Sequence, residues 1–297
     1  MRCLDLKNAP NAATATKCSR LIDLCWGDVR QVDLDASVRD IDAIVHLAGV
    51  LPPKSDEAPG LAHDVNVCGT QRLIAAALRL RHPPTFLFAS SCSVFGHTQD
   101  LPPPRRVSDP TNATDFYTRQ KLECEEMVQK TDLPWLIFRF AHVPFVGLRK
   151  PHPVLFEIPL TTRIEVLHPL DAGFAIANAL DCKSSREKIL LIGGGPRCQI
   201  HFREYLDGLL GASGLGQLPQ EAFGTQQYYT DWLDTTESQR LLKYQRYSFA
   251  DIVYEVTRAV GLRRYFLAAL RPLLRRRLMR MSPYWNYGSK TARPRCG

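Results

Sequence analysis

The chain has 297 residues, 45% hydrophobic and 23% charged, the composition of an ordinary globule with length for one large domain or two small ones. Its 38 Lys and Arg exceed its 30 Asp and Glu by 8, yet ten of the basic residues and no acid fall in 262–297, leaving 28 against 30 before them. A nearly neutral body with a basic tail lacks a phosphate-tracking surface, so no nucleic-acid partner is expected for the body.

No signal peptide is visible, and no apolar run reaches the ~18 residues of a membrane span. The nine cysteines are scattered, with no C-x-x-C and no His/Cys cluster at metal spacing. That pattern predicts reduced thiols, no metal site and a cytoplasmic protein.

In chain order, short apolar runs predict strands at 2–6, 21–25, 43–47, 85–89, 135–140 and 188–192, with helices between them at about 32–40, 61–80, 115–131 and 171–182. Strands that are apolar throughout and separated by helices imply a parallel sheet covered on both faces, an α/β doubly wound fold. Past residue 196 the pattern shifts to helices and loops (HFREYLDGLLG, TTESQRLLKY, SFADIVYEVTRAVG). These read as a small lobe over the carboxyl ends of the strands, where such sheets bind ligands. The expected division is 1–195 for the sheet domain, 196–261 for the lobe and 262–297 for a basic tail.

Within DFYTRQKLECEE (115–126), Tyr117 and Lys121 lie four residues apart and so share one face of a helix. An ammonium beside a phenol favours phenolate and predicts a tyrosine pKa drawn below its usual value of about 10, toward general acid/base work. A lone Y-x-x-x-K is more often a solvated helix face. Here the strand TFLFA runs straight into SSCSVFG (90–96). Ser91 therefore falls just past a strand's carboxyl end, where it would hydrogen-bond a substrate oxygen or simply cap a turn.

Seven segments in order carry a resemblance: HLAG (46–49), DVNVCGTQRLIAAA (64–77), SSCSVFG, YTRQK, FRFAHV (138–143), HPLDAGFAIANAL (168–180) and ILLIGGGP (189–196). Over residues 1–260 the chain resembles the extended short-chain dehydrogenases/reductases, the NAD-dependent epimerase/dehydratase group. The resemblance implies a Rossmann-like fold, NAD as cofactor and a nucleotide-sugar substrate. It implies Ser91, Tyr117 and Lys121 as catalytic residues, with Tyr117 and Lys121 also touching the cofactor. Leu47, Ala48 and Gly49 would line the cofactor, Asn66 would hold the active-site loop, and Asp28 and Val29 would flank the adenine. Ser91, Ser93 and His142 would face the substrate, with His142 where asparagine is common and Phe95 replacing the usual tyrosine. It also implies a homodimer through helices 61–80 and 115–131, with Leu73, Ile74, Leu78, Leu122 and Met127 as candidate apolar contacts.

One part of the pattern departs. MRCLDL looks like the family's second strand, with Asp5 at the position of the acid that binds the adenosine ribose and disfavours NADP. The first strand, its glycine-rich turn and the first helix are then not among these residues. Two apolar strand edges should lack a partner, and dinucleotide binding should be weak. GGGP (193–196) and GASGLG (211–216) read as a turn and a helix end rather than replacements. Two other functions stay open: oxidoreduction of a sterol-like or lipid-linked alcohol or ketone, and a non-catalytic scaffold.

The tail segment LRRYFLAALRPLLRRRLMRM (262–281) places Phe266, Leu270, Leu273, Leu274, Leu278 and Met281 at helical spacing, with Arg264, Arg271 and Arg275 on another side. It predicts a helix that either packs on the domain or lies peripherally on an anionic inner membrane surface. Pro272 interrupts it and Arg277 falls within the apolar stripe.

Overall fold

The computed structural model describes residues 1–18, 21–147 and 151–285. The chain begins with strand β1 (Arg2–Asp5), helix α1 (Ala9–Cys18), strand β2 (Asp23–Trp26), helix α2 (Leu34–Ser37) and strand β3 (Ala43–His46). Short helices α3 (Lys54–Glu57) and α4 (Pro59–His63) run into a π-helical turn (Asp64–Cys68) and then α5 (Gly69–Leu78). Next come β4 (Thr85–Ser91), α6 (Phe116–Gln129), β5 (Trp135–Phe140), β6 (Arg163–Glu165), α7 (Pro169–Asp181), β7 (Lys188–Ile192) and β8 (Gln199–His201). The last helices are α8 (Phe202–Ala212), α9 (Thr236–Leu242), α10 (Phe249–Val260), α11 (Arg263–Ala269) and α12 (Arg271–Met279).

The central sheet is parallel, in the order β3-β4-β5-β7. Alternation along its apolar runs sends Phe86, Phe88 and Ile137 to one face, against Leu73, Ile74 and Ala77 of α5 and Cys124 and Val128 of α6. The opposite face sends Leu87, Leu136, Phe138 and Leu190 against Ala175 and Ala179 of α7, with Leu233, Leu242 and Tyr244 from beyond the sheet. Both faces are covered, so the strands are apolar throughout and the predicted α/β doubly wound class holds. Ser91, Phe140 and Ile192 stand in one row at the carboxyl ends.

The expected open edges are present. β1 and β2 form a separate two-stranded parallel sheet, and among the described residues no strand pairs with the outer side of β3. Side chains bridge the division. Leu4, Val29 and Val32 pack on the apolar cluster that contains Ile44 of β3. Arg2 donates to the carbonyls of Ser37 at 3.0 Å and Arg39 at 3.1 Å, and Arg72 of α5 donates to those of Val29 at 2.5 Å and Val32 at 3.1 Å.

Sequence patterning missed the antiparallel pair β6–β8, whose three-residue strands are too short for a periodic signal. It also missed α1, in which no residue is buried. Beside β6, the carboxylate of Glu165 is fully buried and accepts from Gly195 N at 2.9 Å, Leu233 N at 2.7 Å and Gln199 Nε2 at 2.9 Å. A Cβ on Gly193 would collide with that carboxylate and one on Gly194 with the Val166 carbonyl. The GGGP segment is therefore a packed turn, as expected, with its backbone turned to protein.

The eight cysteines among the described residues are free thiols. No helix among these residues is long and apolar enough to cross a membrane.

A two-stranded sheet is marginal by itself, and β1 and β2 are at most half-buried whereas β4 and β5 are almost wholly buried. Amide protons of β1 and β2 are expected to exchange at least ~10-fold faster than those of β4 and β5. Hydrogen exchange read by NMR or mass spectrometry checks this, and equal protection would show that the two sheets open as one unit.

Candidate active site

A capping box starts α6: Asp115 accepts from Thr118 N at 2.7 Å while the Thr118 hydroxyl accepts from Asp115 N at 3.1 Å. It sets Tyr117 in the first turn and Lys121 one turn later, both against the end of β4. Tyr117 and Lys121 are 7% and 6% exposed, so this is no solvated helix face.

Lys121 Nζ donates to the Ala89 carbonyl of β4 at 2.6 Å and stands 4.7 Å from the Phe88 ring and 5.6 Å from the Tyr117 ring. Ser91, the last residue of β4, lies beside the Tyr117 phenol and favours its ionised form. Its Oγ also lies 2.7 Å from Ser93 Oγ and accepts from Ser93 N. The sequence-chosen Ser91, Tyr117 and Lys121 therefore converge, with the buried Ser93 beside them.

The electrostatics correct one expectation. Burial holds the Tyr117 phenol above its ordinary pKa, and the neighbouring Ser91 only partly offsets this. Lys121 is pushed down to about 8 by burial, against the opposing pull of Cys124 and Glu125. Removing both groups from water disfavours their charged forms, and that effect outweighs the lysine's attraction for a phenolate. In this state the pair is a neutral phenol beside a weakened ammonium.

Asn66 ties the loop after β3 to α6. Its Oδ1 accepts from Val50 N at 2.7 Å, and its Nδ2 donates to Val50 O at 3.0 Å and Gln120 Oε1 at 2.8 Å. A Cβ on Gly49 would sit 3.3 Å from Asn66 Oδ1 and 3.8 Å from Lys121 Nζ. Position 49 thus lies directly against the buried ammonium. Leu47 and Ala48 precede it, uncovered.

His46, at the start of HLAG, was not singled out by the sequence reading. It is buried, lies 2.9 Å from Thr70 Oγ1, and is pushed down to about 3 by burial and by the Lys121 charge, so its imidazole stays neutral.

The other candidates lie apart. Asp5 and Asp28 stand at the carboxyl ends of β1 and β2, on the separate sheet. Asp5 is exposed and accepts from Leu6 N at 2.7 Å. Asp28 is paired with Arg30 at 2.6 Å, and this hydrogen bond holds its carboxyl below the usual range. Val29 packs toward Gly69 of α5. His142 is exposed, with Nε2 2.8 Å from Tyr205 Oη of α8.

An NAD molecule would meet the buried Lys121 ammonium beside Gly49 at its nicotinamide end and the exposed Asp5 at its adenosine end. The turn from β1 to α1 (Leu6, Lys7, Asn8) holds no glycine to admit a diphosphate against backbone amides. The fit is good at the two ends and poor between them.

Two groupings escaped sequence reasoning. Behind the site, Glu125 and Arg139 form a buried ion pair at 2.7 Å, and the Ser90 hydroxyl donates to Glu125 at 2.5 Å. Its only advance signal was Glu125 one turn beyond Lys121. His63, Asp64 and Cys68 also bring one ligand atom each to within 4.8 Å of one another. An α-helix would turn residues five apart to different faces, whereas the wider π turn brings 63 and 68 together.

Removing one partner of the Glu125–Arg139 pair strands the other charge in an apolar seam. Glu125→Leu alone is expected to cost about 3–5 kcal/mol, with much of it recovered in the Glu125→Leu/Arg139→Leu double variant. Urea unfolding of the three proteins checks this; a double variant as unstable as the single one would show that the pair is not a closed unit.

Residues 3–149 match the NAD dependent epimerase/dehydratase family. The chain is 25% identical over 149 residues to the D-erythronate dehydrogenase of Haemophilus influenzae, a match spanning 48% of this chain and 45% of that protein's length. The fold resembles the UDP-glucuronic acid 4-epimerase of Bacillus cereus, solved with UDP-glucuronic acid and NAD, at a TM-score of 0.71 and 18% identity over 87% of this chain and 90% of the other. It also resembles a dTDP-glucose 4,6-dehydratase double mutant from Streptomyces venezuelae, solved with NAD, at a TM-score of 0.72 and 22% identity over 89% of this chain and 88% of the other. Residues 3–149, just under half of the chain, thus carry the pattern of the NAD-dependent epimerase/dehydratase family, and the fold around them is that of its solved relatives.

Proposed function

We propose that the protein is an NAD-dependent epimerase, dehydratase or reductase of a nucleotide sugar, with Tyr117 as general acid/base, Lys121 as its electrostatic partner and Ser91 orienting the reacting oxygen. One observation carries the reading: Ser91, Tyr117 and Lys121 converge at the carboxyl end of β4, with the Lys121 ammonium bonded to the Ala89 carbonyl at 2.6 Å and 5.6 Å from the tyrosine ring. Nucleotide sugars in the names of the structural neighbours support the substrate class.

When bound, NAD supplies the hydride acceptor or donor. The chain's own residues supply the proton path. Tyr117 gives its proton to a sugar oxygen as the phenol, or takes one from a sugar hydroxyl as the phenolate, while Ser91 fixes that oxygen's position. Lys121 counters negative charge on the phenolate.

In this reading Leu47, Ala48, Gly49 and Asn66 hold the nicotinamide side, and Asp5, Asp28 and Val29 the adenosine. Residues 1–195 form the cofactor domain and 196–261 the substrate lobe, which meets His142 through Tyr205 at 2.8 Å. The proposed cytoplasmic homodimer, through α5 and α6, would rest on Leu78, 43% exposed, and the half-buried Leu122 and Met127, because Leu73 and Ile74 are buried within the monomer. A second reading, a dehydrogenase of a small hydroxy acid, is favoured by the relative from H. influenzae.

Tyr117→Phe keeps the ring and removes the proton. Turnover is expected to fall by about two to four orders of magnitude with substrate binding nearly unchanged. Steady-state kinetics at saturating NAD checks it, and undiminished turnover would remove Tyr117 from the mechanism.

The 297-residue chain is also expected to bind NAD weakly, for want of a glycine turn under the diphosphate, and NADP more weakly still, since Asp5 repels a 2′-phosphate. Calorimetry with both dinucleotides tests this. Micromolar NAD affinity would refute the first expectation, and tighter NADP binding the second.

A further inference from the structure

The amphipathic segment 262–281, whose helix Pro272 was expected to interrupt, is two helices, and they divide its apolar stripe. α11 ends at Ala269 and α12 begins at Arg271, with Pro272 in the new helix's first turn, where its missing amide costs nothing. Leu278 and Met279 turn inward, 5% exposed, into the cluster built on Phe202 and Leu206 of α8. Leu267 packs against Val256 and Val260 of α10. Arg271 Nε fixes the start of α12 on the Gly214 carbonyl at 3.1 Å. The tail is thus docked on the lobe, as one of the two sequence readings held.

Docking does not use up its apolar side chains. Leu262, Tyr265, Phe266 and Leu273 remain 85%, 60%, 68% and 67% exposed. Only Phe266 and Leu273 of these belong to the stripe predicted from periodicity; Leu278 faces the core. Exposed Arg263, Arg271, Arg277 and Arg280 lie along the same two helices, and residues 262–285 contain no acid. A hollow lined by Thr257, Arg258, Gly261, Leu262, Arg264 and Tyr265 joins α10 to this surface with two further arginines in its wall, of which Arg264 donates to Tyr265 Oη at 2.6 Å.

Four large apolar side chains in water are a standing cost for a merely solvated helix. Nucleic acid would engage the arginines and leave Leu262, Phe266 and Leu273 wet. An anionic bilayer satisfies both sets at once.

We propose that the α11–α12 surface is a peripheral docking site for membrane containing anionic lipid. Leu262, Tyr265, Phe266 and Leu273 enter the headgroup–acyl boundary, and the arginines receive the headgroup charge, two of them in the hollow. This surface lies outside the catalytic residues, and its test does not depend on turnover.

The full chain is sedimented with vesicles of phosphatidylcholine alone or mixed with phosphatidylserine, at low and high salt, beside the Phe266→Ser/Leu273→Ser variant. Both substitutions fall on exposed side chains, and an unchanged thermal midpoint verifies that the fold is kept. Binding is expected on the phosphatidylserine vesicles at low salt, and at least ~10-fold weaker without that lipid, at high salt, or in the serine variant. Failure to bind anionic vesicles at low salt would overturn the proposal. So would a serine variant that binds like the parent, since arginine attraction alone would then suffice. So would duplex DNA or RNA that binds the chain as tightly as the vesicles and displaces them.

Discussion

The site stands on the seam between α6 and β4. Along it, Lys121 bonds the Ala89 carbonyl, Glu125 bonds Ser90, and Arg139 of β5 closes on Glu125. All three ionisable side chains are at most 6% exposed. Buried charges cost desolvation and are tolerated only while their partners are in reach. A one-turn slip of α6 along the sheet would leave a lysine, a glutamate and an arginine unpaired together. The polar seam therefore fixes the helix in one register, as apolar packing alone does not, and that register puts Tyr117 beside Ser91.

The opposite constraint rules the other end of the molecule. β3, β4, β5 and β7 are joined by continuous backbone ladders, whereas among the described residues β1 and β2 reach them through side chains. Arg2 and Arg72 grip loop carbonyls across the division, and Leu4, Val29 and Val32 share the core of Ile44. Asp5 and Asp28 are thus positioned by packing, while Ser91 and Lys121 are positioned by ladder and helix. The two ends of any bound dinucleotide would meet scaffolds of different rigidity.

Much of this was legible in the residues. The runs at 135–140 and 188–192 return as strands with the same bounds, because a strand buried on both faces reads as a near-continuous apolar run, here broken only by Arg139 and the terminal Lys188. Ser91, Tyr117 and Lys121 were readable because helical spacing and the end of a parallel strand are local facts. What stayed hidden depends on distant contacts. The π turn is invisible in DVNVC, and with it the approach of His63 to Cys68. The partner of Glu125 lies fourteen residues away, on another element. In the tail, periodicity marked an apolar face and Pro272 an interruption, but not which way each part turns: α12 takes Leu278 inward while Leu273 stays out.

The tyrosine's protonation was the deepest of these. The Lys121 ammonium, 5.6 Å from the ring centroid, favours phenolate. Spacing alone makes that attraction visible, and it points downward. Desolvation of the same phenol points upward and is the largest cause of its shift, and it acts on the lysine as well, pulling it to about 8. The net sign depends on how dry the pocket is, a property of β4, β5 and the α6 seam rather than of YTRQK. The same dryness that keeps the phenol neutral keeps the ammonium's field strong. A group that brings positive charge to the ring therefore adds to Lys121 rather than replacing it, and the two together are what would carry Tyr117 toward the phenolate.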